Sequence, residues 1–405
     1  MRRDLMRYSG TVARPMFRLL LVLLCLGGGL APARADFAAF LVGLWPEAQA
    51  AGVSRATFDG AFKGVTPDQK IVAQTKKQSE FVRPIWDYVE GAITSGRVER
   101  GREAGGRWSD TVSAVESRYG VDRRAVMGIW GMETNFGSFF GNNSVIRALA
   151  TLAYVRYRDD FFRKELIIAL KILEEGHVER SEMRGSWAGA MGHTQFMPSS
   201  FMKYAVDHNR DGRKDIWDSI PDALASTANY LKEHGWQTGL PWGMEVELPH
   251  GIDLRQALGR KAFPAFSALG IKRASGQALP RRGEAALFLP AGIKGPAFLL
   301  TDNFKVIKAY NSSDAYALAV GLLGDVIYGG EPVQADWPKK DKRLTRDQGM
   351  EVQRQLTKRG LYQGKIDGRF GEQSRESIIR FQKQAGLVPD GYATPALLER
   401  LKLAR

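Results

Sequence analysis

Cysteine is almost missing from this chain of 405 residues: Cys25 stands alone. That excludes a disulfide framework and a cysteine-based zinc site. Long apolar runs are missing too, because the stretch from Leu19 to Leu26 is too short to span a bilayer as a helix. Acidic residues are in deficit, with 44 Asp and Glu against 58 Lys and Arg, a net charge of +14. Such a surface attracts polyanions, whether nucleic acid, anionic lipid or an acidic cell-wall polymer, and charge alone does not choose among them. What is present, 44% hydrophobic residues and 10% aromatic, belongs to a folded globular protein rather than a disordered or collagenous one. The length suits two or three domains.

Arg2, Arg3, Arg7, Arg14 and Arg18 precede the apolar run, which is followed by Ala33-Arg34-Ala35. A basic segment, a short apolar segment and a small-x-small site make a secretory signal, cut before Asp36, and so predict a periplasmic protein. The leader holds six Arg and one Asp, so the mature chain stays basic at +9 and has no cysteine. Leu24 stands where a lipoprotein signal needs a small residue before Cys25, which disfavours an outer-membrane lipoprotein. Export also argues against nucleic acid as the partner of the positive charge.

Helical periodicity dominates from Trp108 to Gly235. Phe162, Leu166, Ala169, Leu170 and Leu173, for example, draw one apolar stripe. Between about residues 244 and 301 the pattern changes to short alternating or apolar runs broken by Gly and Pro, which predicts a small β-rich insertion. Helix returns at Tyr316–Val320. Residues 335–344, charged and carrying Pro338, read as a linker to a small C-terminal module over 345–405.

One carboxylate stands out. Asp122 can cap a helix running to about Phe136, on which Val126, Ile129, Trp130 and Glu133 share one face. A carboxylate on the inward face, near the negative end of the helix dipole, has its pKa raised and holds a proton near neutral pH. That is what a general acid for glycoside cleavage needs. The same position also suits a buried Glu paired with an arginine.

Gly131-Met132-Glu133-Thr134-Asn135-Phe136-Gly137 and the stretch from Ser186 to Ser200 closely resemble two motifs of the lytic murein transglycosylases, specifically the membrane-bound lytic transglycosylase B family. Asp215–Ser219 with Ala228–Leu231 matches a third motif, and Tyr310–Ser313 with Tyr316 a fourth. The resemblance covers about residues 36–330. It implies an α+β, mainly α, lysozyme-like catalytic domain over 36–334, with Glu133 as the single catalytic acid/base. It implies Ser186 and Gln195 in the cleft, and Phe196, Tyr230, Tyr88, Tyr310 and Tyr316 as sugar-contacting walls. Arg158 follows Tyr157 where family members often carry two arginines, and is a candidate for the acidic peptide or lactyl group. The implied reaction cleaves the MurNAc–GlcNAc β-1,4 bond of peptidoglycan and closes the MurNAc C6 hydroxyl on C1, giving a 1,6-anhydro end with no cofactor. A hydrolytic muramidase and a non-catalytic wall-binding scaffold are the competing readings. Peripheral membrane or wall-synthesis proteins are further possible contacts.

Asp207, Asn209, Asp211, Gly212 and Asp218 occupy positions 1, 3, 5, 6 and 12 of an EF-hand pattern, with Asp222 as a substitute for the short Asp218. This is a candidate site for a structural Ca²⁺, and an Asx-turn loop that needs no metal explains the same residues. In the C-terminal stretch, Val352–Leu356, Gly360–Gly371, Ile378–Gln382 and Asp390-Gly391 resemble the three-helix peptidoglycan-binding domain found beside wall hydrolases. Such a module implies tethering to glycan strands.

Overall fold

The computed structural model describes residues 31–76 and 84–403. The signal segment lies outside these up to residue 30, and the expected cleavage site falls in the first turns of a helix over Ala31–Val42. Among the described residues no helix is long and apolar enough to cross a membrane.

The molecule is mainly helical. Asp122 accepts from the Arg124 N–H and caps a helix over Arg123–Thr134, here called the acid helix because Glu133 lies in its last turn. The helix ends two residues before the predicted Phe136. Asn135, Phe136 and Gly137 all take positive φ (51°, 60° and 79°), so the chain turns sharply just after Glu133. The acid helix packs on the helix Asp314–Ile327, here the tyrosine helix, which starts two residues before Tyr316. Two glycines make this contact close. A Cβ on Gly128 would lie 2.2 Å from the Val320 carbonyl oxygen, and one on Gly324 would lie 2.1 Å from that of Arg124. The backbones touch where any side chain would force them apart. The predicted stripe lies on the helix Phe161–Glu174, with Phe162, Leu166, Ala169 and Leu170 fully buried and Leu173 at the margin. These elements share one large core with the helices Val145–Tyr154 and Ile220–Glu233.

Two short strands, β1 (Asn143–Ser144) and β2 (Arg184–Gly185), pair antiparallel beside the acid helix. The predicted β-rich insertion is a five-stranded antiparallel sheet. Its strands are β3 (Gly243–Glu247), β4 (Arg260–Ala262), β5 (Lys272–Arg273), β6 (Glu284–Phe288) and β7 (Ala297–Leu300), in the order β4-β6-β7-β3-β5. Met244, Val246, Phe263, Phe266 and Leu299 give it a core of its own.

Residues 335–344 are irregular but not free. Glu245 accepts from the N–H groups of Gln334 and Ala335. Trp337 packs at 6.2 Å from Trp86, Lys339 pairs with Glu90 at 2.6 Å, and Arg343 pairs with Asp87 at 3.1 Å. The charges of the expected linker hold it as a strap across the helical body. Beyond it, the helices Arg346–Lys358, Glu372–Gln384 and Pro395–Leu403 enclose Val352, Leu356, Ile378, Phe381 and Leu401. Each Asp-Gly pair is clamped by a buried glutamine. Gln353 accepts from the N–H groups of Asp367 and Gly368, while Gln382 accepts from the Gly391 N–H and donates to Asp390. The same Gln to Asp-Gly clamp thus occurs twice in the module, at different spacings.

Candidate active site

Glu133 sits on the floor of a cleft of about 390 Å³, lined also by Lys70, Gln74, Phe139, Asn143, Ser186 and Gln195. It is the one carboxylate among the described lining residues. Its Oε1 accepts a 2.6 Å hydrogen bond from the Tyr316 hydroxyl. Burial pushes its pKa up to about 7, against which the Tyr316 bond pulls down. Among the described residues no arginine pairs with it, and its one side-chain partner there is the neutral Tyr316 hydroxyl.

The loop opposite is built around Gln195, held in the left-handed region at φ 50°. Its Nε2 donates to the carbonyls of Phe140 and Gly192 at 3.1 and 3.0 Å, which turns Oε1 outward as an acceptor. The Ser186 hydroxyl oxygen accepts from the N–H groups of Ala188 and Ala190 and closes the turn beside it. Behind this loop His193 is buried and accepts at Nδ1 from the Trp130 indole N–H at 3.1 Å. Burial drives its pKa down to about 4, so the neutral ring is a brace between the acid helix and the Gln195 loop. Tyr310 adds a second brace through its hydroxyl, which donates to the Thr194 carbonyl at 2.6 Å.

The aromatic residues divide. Phe196 is 2% exposed and Tyr316 3%, and Tyr230 is buried with its hydroxyl on the Ala309 carbonyl. Phe196, Tyr230 and Tyr310 pack together at 4.8–5.8 Å between ring centroids, and none of the three lines the cleft at Glu133. Tyr88 is half-buried on the helix Ile85–Ala92, which packs against the tyrosine helix. Arg158 is exposed, turned over the Tyr157 ring at 5.9 Å, and does not line the cleft at Glu133. Phe139, 69% exposed at the rim, and Lys70 and Gln74 on the helix Gln69–Thr75 do line it and were not singled out from sequence. For Lys70 and Gln74 the only signal lies in the fold, since that helix stands some sixty residues ahead of Glu133 in the chain.

A larger groove of about 650 Å³ lies beneath the strap, lined by Val89, Leu322 and Trp337, and does not reach Glu133.

The loop over residues 207–218 is tied to itself. Asp207 accepts from the N–H groups of Arg210, Asp211 and Gly212, and Asn209 donates to Asp211. Asp222 is fully buried, and its two oxygens accept from the N–H groups of His208, Asn209 and Asp215. Asp218 stands close to the like charges of Asp215 and Glu182, and burial with that repulsion raises its pKa. Among the described residues no three His, Cys, Asp or Glu converge as a metal-holding group.

Comparison with known proteins now places the chain. Residues 36–325 match the transglycosylase SLT domain, and residues 345–401 match the putative peptidoglycan-binding domain. The chain belongs to the SLT transglycosylase family. It is 34% identical over 247 residues to the membrane-bound lytic murein transglycosylase B of Escherichia coli (strain K12), a match over 59% of this chain and 66% of that protein. The match thus spans just under two thirds of that relative's length. Among solved structures it resembles SltB3 from Pseudomonas aeruginosa in complex with NAG-anhNAM-pentapeptide, with a TM-score of 0.84 and 48% identity over 90% of this chain and 99% of the other. SltB3 with NAG-NAM-pentapeptide superposes with a TM-score of 0.83, at the same identity and coverage. Escherichia coli Slt35 in complex with calcium gives 0.60 at 29% identity, over 74% of this chain and 95% of the other. These relatives are lytic transglycosylases, enzymes that cleave peptidoglycan, and the mainly helical lysozyme-like fold with a helical wall-binding module is shared with them.

Proposed function

We propose that the protein is a periplasmic lytic transglycosylase that cleaves the MurNAc–GlcNAc β-1,4 bond with Glu133 as its single acid/base. The carrying observation is one carboxylate in the cleft, with its pKa raised to about 7 and held by Tyr316. Hydrolases of both stereochemical classes use two carboxylates, so a lone one supports a reaction whose nucleophile comes from the substrate. Glu133 gives its proton to the leaving GlcNAc O4 as the C1–O4 bond breaks. It then takes the proton of the MurNAc C6 hydroxyl as O6 bonds to C1. Glu133 ends protonated, as it began, and no water is consumed. The anhydro sugar bound in the SltB3 relative is the product class this route yields.

Gln195 Oε1 and the Ser186 hydroxyl are placed to hold acetamido or hydroxyl groups, and Phe139 offers a face for a sugar ring. Tyr88 and Tyr310 flank the same floor, and Tyr230 and Phe196 support it from beneath. Arg158 is left as a remote contact for the acidic peptide. The units are a signal over 1–35, a catalytic body over 36–334, a connecting strap over 335–344 and a wall-binding module over 345–405. The chemistry requires no cofactor. For calcium, the donor set is Asp207, Asn209, Asp211 and Asp218, hard oxygens of the right class, with Asp222 bracing the loop from inside.

Muropeptide mass analysis tests the reaction. The expected product is one water lighter than a hydrolytic one, and Glu133→Gln yields none. Products of hydrolytic mass would make the protein a muramidase, and no product from the wild-type chain would make it a scaffold.

A further inference from the structure

The wall-binding module reaches back to the catalytic floor. Asp314 opens the tyrosine helix with a side chain only 9% exposed. Arg375, on the helix Glu372–Gln384 of the module, donates from Nη2 to its Oδ2 at 2.6 Å. Lys308 meets the other oxygen at 2.8 Å and lies 3.5 Å from Glu372 of the module. The Arg375 guanidinium stands 4.7 Å from the centre of the Phe288 ring on β6, so strand, helix and module meet at one point. Lys308 sits two residues before Tyr310, and Asp314 two residues before Tyr316. Arg375 therefore holds the far end of the short turn, Asn311–Ser313, that joins Tyr310 to Tyr316, and Glu372 meets Lys308 ahead of its near end. Asp390 fixes the module a second time by accepting from the Ile293 N–H at 3.2 Å.

Tyr316 lies two residues beyond the gripped carboxylate, and its hydroxyl meets Glu133 at 2.6 Å. A displacement of the first turn of the tyrosine helix by a few tenths of an ångström lengthens that bond. Bidentate-capable arginine on a mostly buried carboxylate is the pairing with enough geometric definition to prevent it. We propose that Arg375, from the wall-binding module, is a positioning residue for the reaction. Its ion pair with Asp314 sets Tyr316 against Glu133, so the module is part of the working active site as well as a tether. This rests on Glu133 being the acid/base.

The test uses the full chain. Arg375→Met keeps the aliphatic stem against Phe288 and removes the charge. The expected result on soluble glycan fragments is a 5- to 20-fold lower kcat with KM within twofold of wild type, while sedimentation with sacculi is unchanged. Arg375→Lys restores at least half of the lost kcat. Lys339→Ala, which loosens the strap at Glu90 instead, leaves kcat within twofold. If Arg375→Met gives no cooperative melt, Arg375→Gln is read by the same split. A kcat within twofold of wild type, a loss carried by KM or sedimentation, or an equal loss in Lys339→Ala overturns the proposal. Glu133→Gln separates the two levels. An active Glu133→Gln overturns the catalytic reading itself, whereas an inactive one beside an unaffected Arg375→Met overturns the positioning role alone.

Discussion

Two sheltered carboxylates stand on either side of Tyr316 and behave in opposite ways. Burial pushes both upward. For Glu133 the counterweight among the described residues is a neutral phenol, and burial pushes its pKa up to about 7. For Asp314 the charges and hydrogen bonds of Arg375 and Lys308 outweigh burial and hold it below its ordinary range. Shelter from water alone thus does not make an acid. The partner decides, and a cation converts the same group into a permanent anion suited to holding parts together. Among the described residues no cation forms an ion pair with Glu133, whereas two pair with Asp314.

The largest expected effect tests the first half of this contrast. Glu133→Gln keeps the shape and cannot donate, so wall lysis falls by about 10³-fold or more. The same variant has a stability signature. Because the folded-state pKa lies near 7 against 4.5 for the free group, the wild type loses stability as pH rises through that window. Glu133→Gln should melt no lower than wild type at pH 8, by a margin of up to about 2 kcal/mol that closes below pH 4. A variant that melts lower at pH 8 would mean the carboxylate is an ordinary buried anion.

Tyr316→Phe sharpens the contrast by removing the one hydrogen-bond donor to Glu133 among the described residues. The hydrogen bond holds the Glu133 pKa down, so its loss moves the alkaline limb of kcat/KM from near 7 to higher pH, and kcat drops by about tenfold. An unmoved limb would mean that another group sets it.

Asp314→Asn attacks the other half. It leaves Arg375 sheltered without its anion and Lys308 with Glu372 alone, and should cost about 2 kcal/mol. The Asp314 pKa is lowered by folding, so its contribution is present above the ordinary carboxylate range of about 3.9 and lost as pH falls below it. The gap between wild type and Asp314→Asn in denaturant midpoint should therefore hold from pH 5 to 8 and close toward pH 3.

The contrast also marks where sequence reading succeeds. Glu133 was legible because helix periodicity, the Asp122 cap and the following turn are all local, and they put a carboxylate on the buried face. The β-rich insertion was legible for the same reason, its alternation surviving as β3, β6 and β7. Asp314 was not legible. Its partner Arg375 lies 61 residues away in another module, and nothing near either residue announces the pair. Composition marks residues 335–344 as a linker, and it carries no sign of the pairings with Glu90 and Asp87 that tie the segment to the helical body. For the aromatics, sequence places rings near the acid without saying whether a ring faces the cleft or lies one layer below, as Phe196 does. Gly128 carried an unused signal: a glycine inside a helix costs about 1 kcal/mol, which a close backbone contact justifies.

The smallest effect concerns a third setting for carboxylates, the loop over residues 207–218, where Asp211 and Asp218 are exposed. Here Asp207 and Asp211 are satisfied by backbone N–H groups, and the Asp211 pKa is lowered by the Arg213 N–H and Asn209. A cation must compete with these bonds, and with Arg210, Arg213 and Lys214 close by in the chain, so the site is not ready-made and binding is weak. At calcium ten times a millimolar Kd, mass action stabilises the native state by about 1.4 kcal/mol. For a chain of this size that is a rise in Tm of roughly 1–2 °C. Asp211→Ala should abolish the rise and leave kcat within twofold of wild type. A rise of about 5 °C at micromolar calcium would show that metal, rather than backbone N–H groups, is the natural partner of these carboxylates. Equal rises in wild type and Asp211→Ala would place the ion elsewhere, and the Asp and Asn spacing would then be that of turns, which share the preference for these residues with metal loops.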